Sequence, residues 1–302
     1  MLCVCKIHTD AYLNQLSYLL HFIMKTQHTS YHVLSIGPAG DMEIMQQLTS
    51  TATGGGTSTL PNLEIVPSSD TDRVDQLLSK TDAFLMATDD VDSVLDPSII
   101  NYLLDPTKTK QLKRIVAMSR NLNGDGMGMF VTASKKAANA QVWDNSNKAA
   151  YIEYENTIKQ AAKNIGADYT IVRAGTLKGG STGGRSDDDD NRYYSQYLHE
   201  SYYELTKNDL VTWQLLFDCN VRGVTLTKGD VQKGPGMQAV FTATGSEQHE
   251  GDTGRCGLAE AMVRSLEIEY AKNADFGVGT VASREVPSEE EWDKLFHDCL
   301  KH

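Results

Sequence analysis

Short apolar runs alternate along this chain with stretches in which apolar residues recur every three or four positions. His32-Val33-Leu34-Ser35-Ile36 gives way at Gly37-Pro38-Ala39-Gly40 to the helical spacing of Met42, Ile44, Met45 and Leu48, which predicts strand, tight turn and helix. Leu63–Val66 predicts a strand, Asp70–Ser79 a capped helix, and Ala83–Ala87 a buried parallel strand. A helix around Ser98–Leu104 and a strand over Arg114–Met118 come next. Tyr151, Ile158, Ala161, Ala162 and Ile165 form the apolar stripe of a helix over Ala149–Ile165; Gly166 closes it, and Tyr169–Val172 reads as a strand. Further on, Val221–Lys228 and Met237–Thr244 read as strands joined by a turn at Gly234-Pro235-Gly236. Gly257–Tyr270 then predicts a helix, Phe276–Ala282 a last strand and Ser288–Leu300 a last helix.

Strands alternating with helices at this spacing indicate βαβ units with right-handed crossovers. The expected fold is α/β: a Rossmann-type doubly wound parallel sheet with helices on both faces, and a smaller C-terminal portion facing a substrate or partner. Residues 1–31 read as a helix-prone lead-in without a partner element, and residues 32–297 as the nucleotide-binding domain. Residues 179–213 stand out within that domain as a loop or insertion. Its glycine-dotted start carries the run Asp187 to Asp190, which lacks the alternating ligand spacing and turn glycine of a calcium loop, so no metal site is expected there. Tyr193, Tyr194, Tyr197, Tyr202, Tyr203 and Trp213 follow, residue types suited to a substrate pocket, a partner surface or plain packing.

Composition narrows the function classes. A net charge of −12 opposes a broad nucleic-acid surface, because duplex binding draws its affinity from Lys and Arg. Five scattered cysteines form no disulfide framework, which points to a reducing compartment, cytoplasm or organelle stroma or matrix. Cys3-Val4-Cys5 has no second pair at zinc spacing. The apolar run Tyr18–Met24 is too short to span a bilayer and has neither the basic flank nor the cleavage site of a signal peptide.

Gly37-x-x-Gly40 is the phosphate-binding candidate. Between a strand and a helix, glycines let the backbone turn sharply and approach a pyrophosphate, and free amides at the helix start favour its charge. A purely structural turn reads the same way. Asp70 or Asp72 suits an adenosine ribose but suits helix capping better. Arg173 sits at a strand's carboxyl end, as a ligand contact or an ion-pair partner, and Tyr169 alternates with Ile171 into the core.

Val33–Gly40, Arg114–Ser119 and Asp168–Gly175, in that order, resemble three landmarks of the atypical short-chain dehydrogenase/reductases, the NAD(P)-binding or NmrA-like group. Gly254–Ala261 is similar to the start of that group's late helix. The resemblance spans residues 32–175 and 252–297. It implies a bound NADP or NAD contacted by Gly37, Pro38, Ala39, Gly40, Ala87, Arg173 and Gly175. In active members a Ser, Tyr and Lys set polarises and protonates a carbonyl, and by position the serine is Ser119 and the tyrosine Tyr151. The lysine place falls on Glu155.

A lysine there lowers the phenol's pKa and holds the nicotinamide ribose, whereas a carboxylate raises it and repels a phenolate. Two more departures stand out: Glu43 where a third glycine is usual, and no basic residue from Gly37 to Asp72 to clamp a 2′-phosphate. Lys159 lies one turn beyond Glu155, placed for an i,i+4 pair. Two expectations follow: an NAD(P)-binding protein of oxidoreductase ancestry, acting on a small carbonyl through an altered acid–base set, or a non-catalytic scaffold, sensor or assembly factor with a protein partner. Nucleotide-sugar epimerase or dehydratase chemistry needs the same missing lysine.

Overall fold

A computed structural model describes residues 2–6, 31–36, 63–67, 70–87, 97–120, 122, 148–178, 223–231, 252–281, 283 and 287–301. The strands are β1 (Leu2–Lys6), β2 (Tyr31–Ile36), β3 (Leu63–Pro67), β4 (Ala83–Met86), β5 (Arg114–Arg120), β6 (Asp168–Ala174), β7 (Thr176–Lys178), β8 (Gly223–Lys228), β9 (Asp252–Gly254) and β10 (Ala274–Val281). The helices are α1 (Thr71–Leu78), α2 (Pro97–Leu103), α3 (Lys148–Ile165), α4 (Arg255–Arg264) and α5 (Glu289–Leu300), with a 3₁₀ turn at Glu269–Ala271.

Eight strands form one sheet in the order β3-β2-β1-β4-β5-β6-β10-β8, parallel throughout except for β8, which runs antiparallel to β10. That order, reversing between β1 and β4, is the doubly wound Rossmann arrangement. β7 and β9 pair as a separate two-stranded parallel ribbon. β10 and β8 instead extend the main sheet.

The amino-terminal stretch departs from expectation. Leu2–Lys6 lies between β2 and β4 and pairs with both, so the supposed lead-in supplies an interior strand of the sheet, next to the point where the order reverses. A central parallel strand shows no apolar–polar alternation, and Leu2-Cys3-Val4-Cys5 is too short to announce itself by composition alone. Tyr31–Ile36, read from the sequence as the first strand of the series, is the second. The later helix also differs: α4 ends at Arg264 rather than Tyr270, capped by Ser265. The predicted strand Met237–Thr244 and the whole of 179–213 lie outside the described residues.

Parallel strands buried on both faces need two cores, and alternation along each strand separates them. Ile115, Ala117 and Ile171 face one way, towards α1, α2 and α3, with Val74, Leu78, Ile100 and Ile158. Val116, Met118, Val172, Phe276 and Val278 face the other, towards α4 and α5. There Trp292 and Phe296 are fully buried, and Phe276 meets Phe296 edge to face at a centroid separation of 5.5 Å. Asp70 accepts a hydrogen bond from the Arg73 amide, so it caps α1. Ser288 and Glu291 close a capping box at the start of α5.

After β8 the chain turns at Gly229, with φ +81°, and the backbone of Asp230-Val231 crosses directly over Gly277 of β10. A Cβ on Gly277 would lie 2.1 Å from the Val231 nitrogen, a contact only glycine avoids. Gly277→Ala is expected to lower stability by about 1–3 kcal/mol, the usual range for overpacking. Thermal unfolding checks this against Gly279→Ala, whose nearest neighbour is a threonine methyl.

Candidate functional site

Register places Ser119, Arg173 and Gly277 side by side on β5, β6 and β10. By alternation the side chains of Ser119 and Arg173 share the face of Ile115, Ala117 and Ile171, the face covered by α3, and Gly277 leaves bare backbone on that face. On α3 the buried positions are Tyr151, Tyr154, Glu155, Ile158 and Ala162, spaced i, i+3, i+4, i+7 and i+11. Glu155 therefore points at the sheet from inside an otherwise apolar stripe, and is 3% exposed.

The carboxylate is fully engaged. Ser119 donates its hydroxyl proton to Glu155 Oε1 at 2.7 Å, and Arg173 Nε donates to the same oxygen at 2.9 Å. Arg173 Nη2 donates to Oε2 at 2.5 Å, completing a bidentate pair. Nη2 also reaches Asp275 Oδ2 at 3.2 Å, and Nη1 donates to the carbonyl of Gly229. Lys159 Nζ lies 2.6 Å from Asp275 and 3.9 Å from Glu155, which is the i,i+4 pair expected from the sequence. Burial alone would lower the pKa of Arg173; its hydrogen bond to Glu155 and the charges of Glu155, Asp275 and Asp230 outweigh that and hold it above the ordinary guanidinium value.

The turn after β8 closes this network from above. Asp230, 5% exposed, accepts the Leu122 amide at 2.8 Å through Oδ2 and the Val231 amide at 2.7 Å through Oδ1. The Gly229–Val231 backbone is thereby tied to β5, β6 and β10 together.

The three residues that the resemblance proposes as a catalytic set are each engaged inside the protein. Ser119 is 0% exposed, and its one proton goes to Glu155. Tyr151 is 1% exposed within the apolar cluster under α3, edge to face with Tyr154. Glu155 is the hub of an ion-pair network. Of the residues implied to contact a cofactor, Arg173 belongs to that network, and Gly175 donates its amide to Thr253 Oγ1 at 2.8 Å. Ala87 is buried just past β4. Gly37, Pro38, Ala39 and Gly40 lie outside the described residues.

Asp275, Gly229 and Asp230 were not singled out from the sequence. They are remote from Glu155 along the chain, and their common destination appears only once β10 and β8 are laid beside β6. Among the described residues no cluster of His, Cys, Asp and Glu is arranged to hold a metal ion, and no helix is long and apolar enough to cross a membrane.

No protein-family model matches the chain, and no curated protein matches it. Solved structures with a similar backbone include an oxidoreductase of Lactococcus lactis, 11% identical at a TM-score of 0.46, covering 99% of this chain and 97% of that one. Citrobacter triphenylmethane reductase complexed with NADP(H) is 10% identical at a TM-score of 0.42, over 91% and 68% of the two chains. UDP-glucose 4-epimerase from Thermotoga maritima with UDP-glucose is 12% identical at 0.44, over 99% and 82%. The fold assignment rests on the strand order itself.

Breaking a buried ion pair at one end leaves the partner charge uncompensated. Arg173→Met or Glu155→Leu alone should each cost about 3–5 kcal/mol, while the double variant should recover much of the loss. Glu155→Lys, facing Arg173 and Lys159, should be worse than Glu155→Leu. Denaturant unfolding of the four variants measures the coupling; additive single losses would show that the pair does not act as a unit.

Proposed function

We propose that this chain is a non-catalytic Rossmann-type protein of oxidoreductase ancestry, acting as a scaffold or assembly factor by binding rather than by turnover. One observation supports this above the others: Glu155 stands where carbonyl reduction needs a lysine, and it takes up both the Ser119 hydroxyl and the Arg173 guanidinium.

Carbonyl reduction by this constellation requires a serine hydroxyl aimed at the substrate oxygen and a phenol whose pKa is lowered by a nearby cation. A hydroxyl has one proton to donate, and here it is committed to a carboxylate. Releasing Ser119 would leave Glu155 short of a donor in a buried setting, a cost that a weakly bound carbonyl does not offset. The same replacement counts against epimerase and dehydratase chemistry.

The competing reading is a reductase of small carbonyls with an altered acid–base set. Arg173 favours it, because its guanidinium restores a positive charge beside the lysine's place. The charge is nevertheless neutralised by Glu155 and Asp275 and holds the Gly229 carbonyl.

The deciding test is turnover with NADPH and NADH over a panel of small aldehydes, ketones and quinones, followed by nicotinamide absorbance. The expected result is no rate above buffer, with wild type, Ser119→Ala and Tyr151→Phe indistinguishable. Wild-type turnover that disappears in Tyr151→Phe would establish the reductase instead.

A further inference from the structure

The Rossmann arrangement implies a nicotinamide dinucleotide, laid across the carboxyl ends of the strands where their order reverses. In this chain that reversal falls between β1 and β4. Such a ligand makes three demands: a glycine turn after β1 so that backbone can approach the pyrophosphate, a ribose partner at the end of β2, and a cation with free hydroxyl donors beneath the nicotinamide. Each can be compared with the residues present.

The first demand is not met. Residues 7–30 join β1 to β2 and contain no glycine; Gly37 is the first in the chain. Every residue after β1 therefore carries a Cβ where a dinucleotide turn has none. On the other side of the reversal, β4 is followed by Ala87-Thr88-Asp89-Asp90-Val91-Asp92, three carboxylates within six residues.

The second demand finds glycine directly after β2, with the first acid only at Asp41. The end of β2 leads into Gly37-Pro38-Ala39-Gly40, so along the sequence the first glycine pair follows the second strand and not the first. No Lys or Arg occurs from Gly37 to Asp72 to meet a 2′-phosphate.

The third demand meets the Glu155 network. The lysine that would hold the nicotinamide ribose is a carboxylate, Ser119 is fully buried, and Arg173 is bound to Glu155, Asp275 and the Gly229 carbonyl. The donor chemistry suits an internal ion pair and does not suit a ribose diol.

We infer that this chain holds no nicotinamide dinucleotide: the Rossmann arrangement persists while the residues that would grip the pyrophosphate, the adenosine ribose and the nicotinamide ribose are all replaced. This goes beyond the absence of turnover, since a dead reductase commonly keeps its cofactor site when only the acid–base residues change.

The test is direct binding to the full chain, shown to be folded by a cooperative thermal transition. NAD+, NADH, NADP+ and NADPH are each titrated into the millimolar range by calorimetry and by nicotinamide fluorescence. The unfolding midpoint is recorded at every concentration, because a ligand of the native state raises it progressively. The expected result is no saturable signal and an unmoved midpoint for all four. Saturation by any of them, with a midpoint that climbs with concentration, overturns the inference. A parallel titration of Gly40→Asp then shows whether the phosphates sit on the turn after β2, and binding at either location overturns it equally. Saturable binding without turnover defeats this inference alone, whereas turnover lost in Tyr151→Phe defeats the scaffold reading too, so the two fail separately.

Discussion

A carboxylate buried under a helix must be paired, and the middle of this fold is organised around that requirement. Removing Glu155 from water is costly, and the cost is offset only where opposite charge and hydrogen-bond donors arrive in good geometry. Arg173 supplies a planar fork that meets both oxygens. Ser119 supplies a third donor, and Lys159 with Asp275 balances the remaining charge. These five residues come from α3, β5, β6 and β10, so satisfying one charge fixes the seat of the helix on three neighbouring strands. The Gly229–Val231 turn depends on it in turn, because Arg173 holds its carbonyl and Gly277 leaves room for its backbone. Buried ion pairs add little net stability relative to apolar packing, but they penalise misplacement heavily.

Much of the fold could be read from the sequence because its signals are local. The limits of α3 were legible from the stripe ending at Ile165 and the closing Gly166, which adopts φ +80° as a helix-terminating glycine does. Asp70 announced its helix as a cap, and the start of the last helix at Ser288 was legible as well. β1 was missed for an equally physical reason: a short parallel strand flanked by neighbours on both sides need carry no apolar–polar alternation to reveal it. Reading β2 as the first strand also assigned Gly37 and Gly40 to the connection after the first strand, whereas in chain order they follow the second.

At the site, legibility stopped where sequence separation began. That Glu155 falls where the resemblance would put a lysine is visible in one line of sequence, and its pairing with Lys159 follows from helical spacing. Its partner Arg173 appeared as one of two open alternatives. Asp275 and Gly229 carry no local signal, since an acid at the start of a strand and a glycine after one are unremarkable in themselves. Only the register of β10 against β6, and of β8 against β10, brings them to the same guanidinium.

The core and the site of a doubly wound fold make different demands on the chain, and this protein separates them. The two apolar clusters depend on which residues point up or down along the strands, and that pattern survives any change at the strand ends. Ligand binding depends on a handful of turns just past those ends and on a few polar groups beneath them. Ser119 and Arg173 are satisfied inside the protein as partners of Glu155. On the proposed reading this takes the serine's one proton away from any substrate carbonyl. On that reading the architecture persists while its polar groups serve internal pairing, and in this chain the pairing centres on the carboxylate four residues after Tyr151.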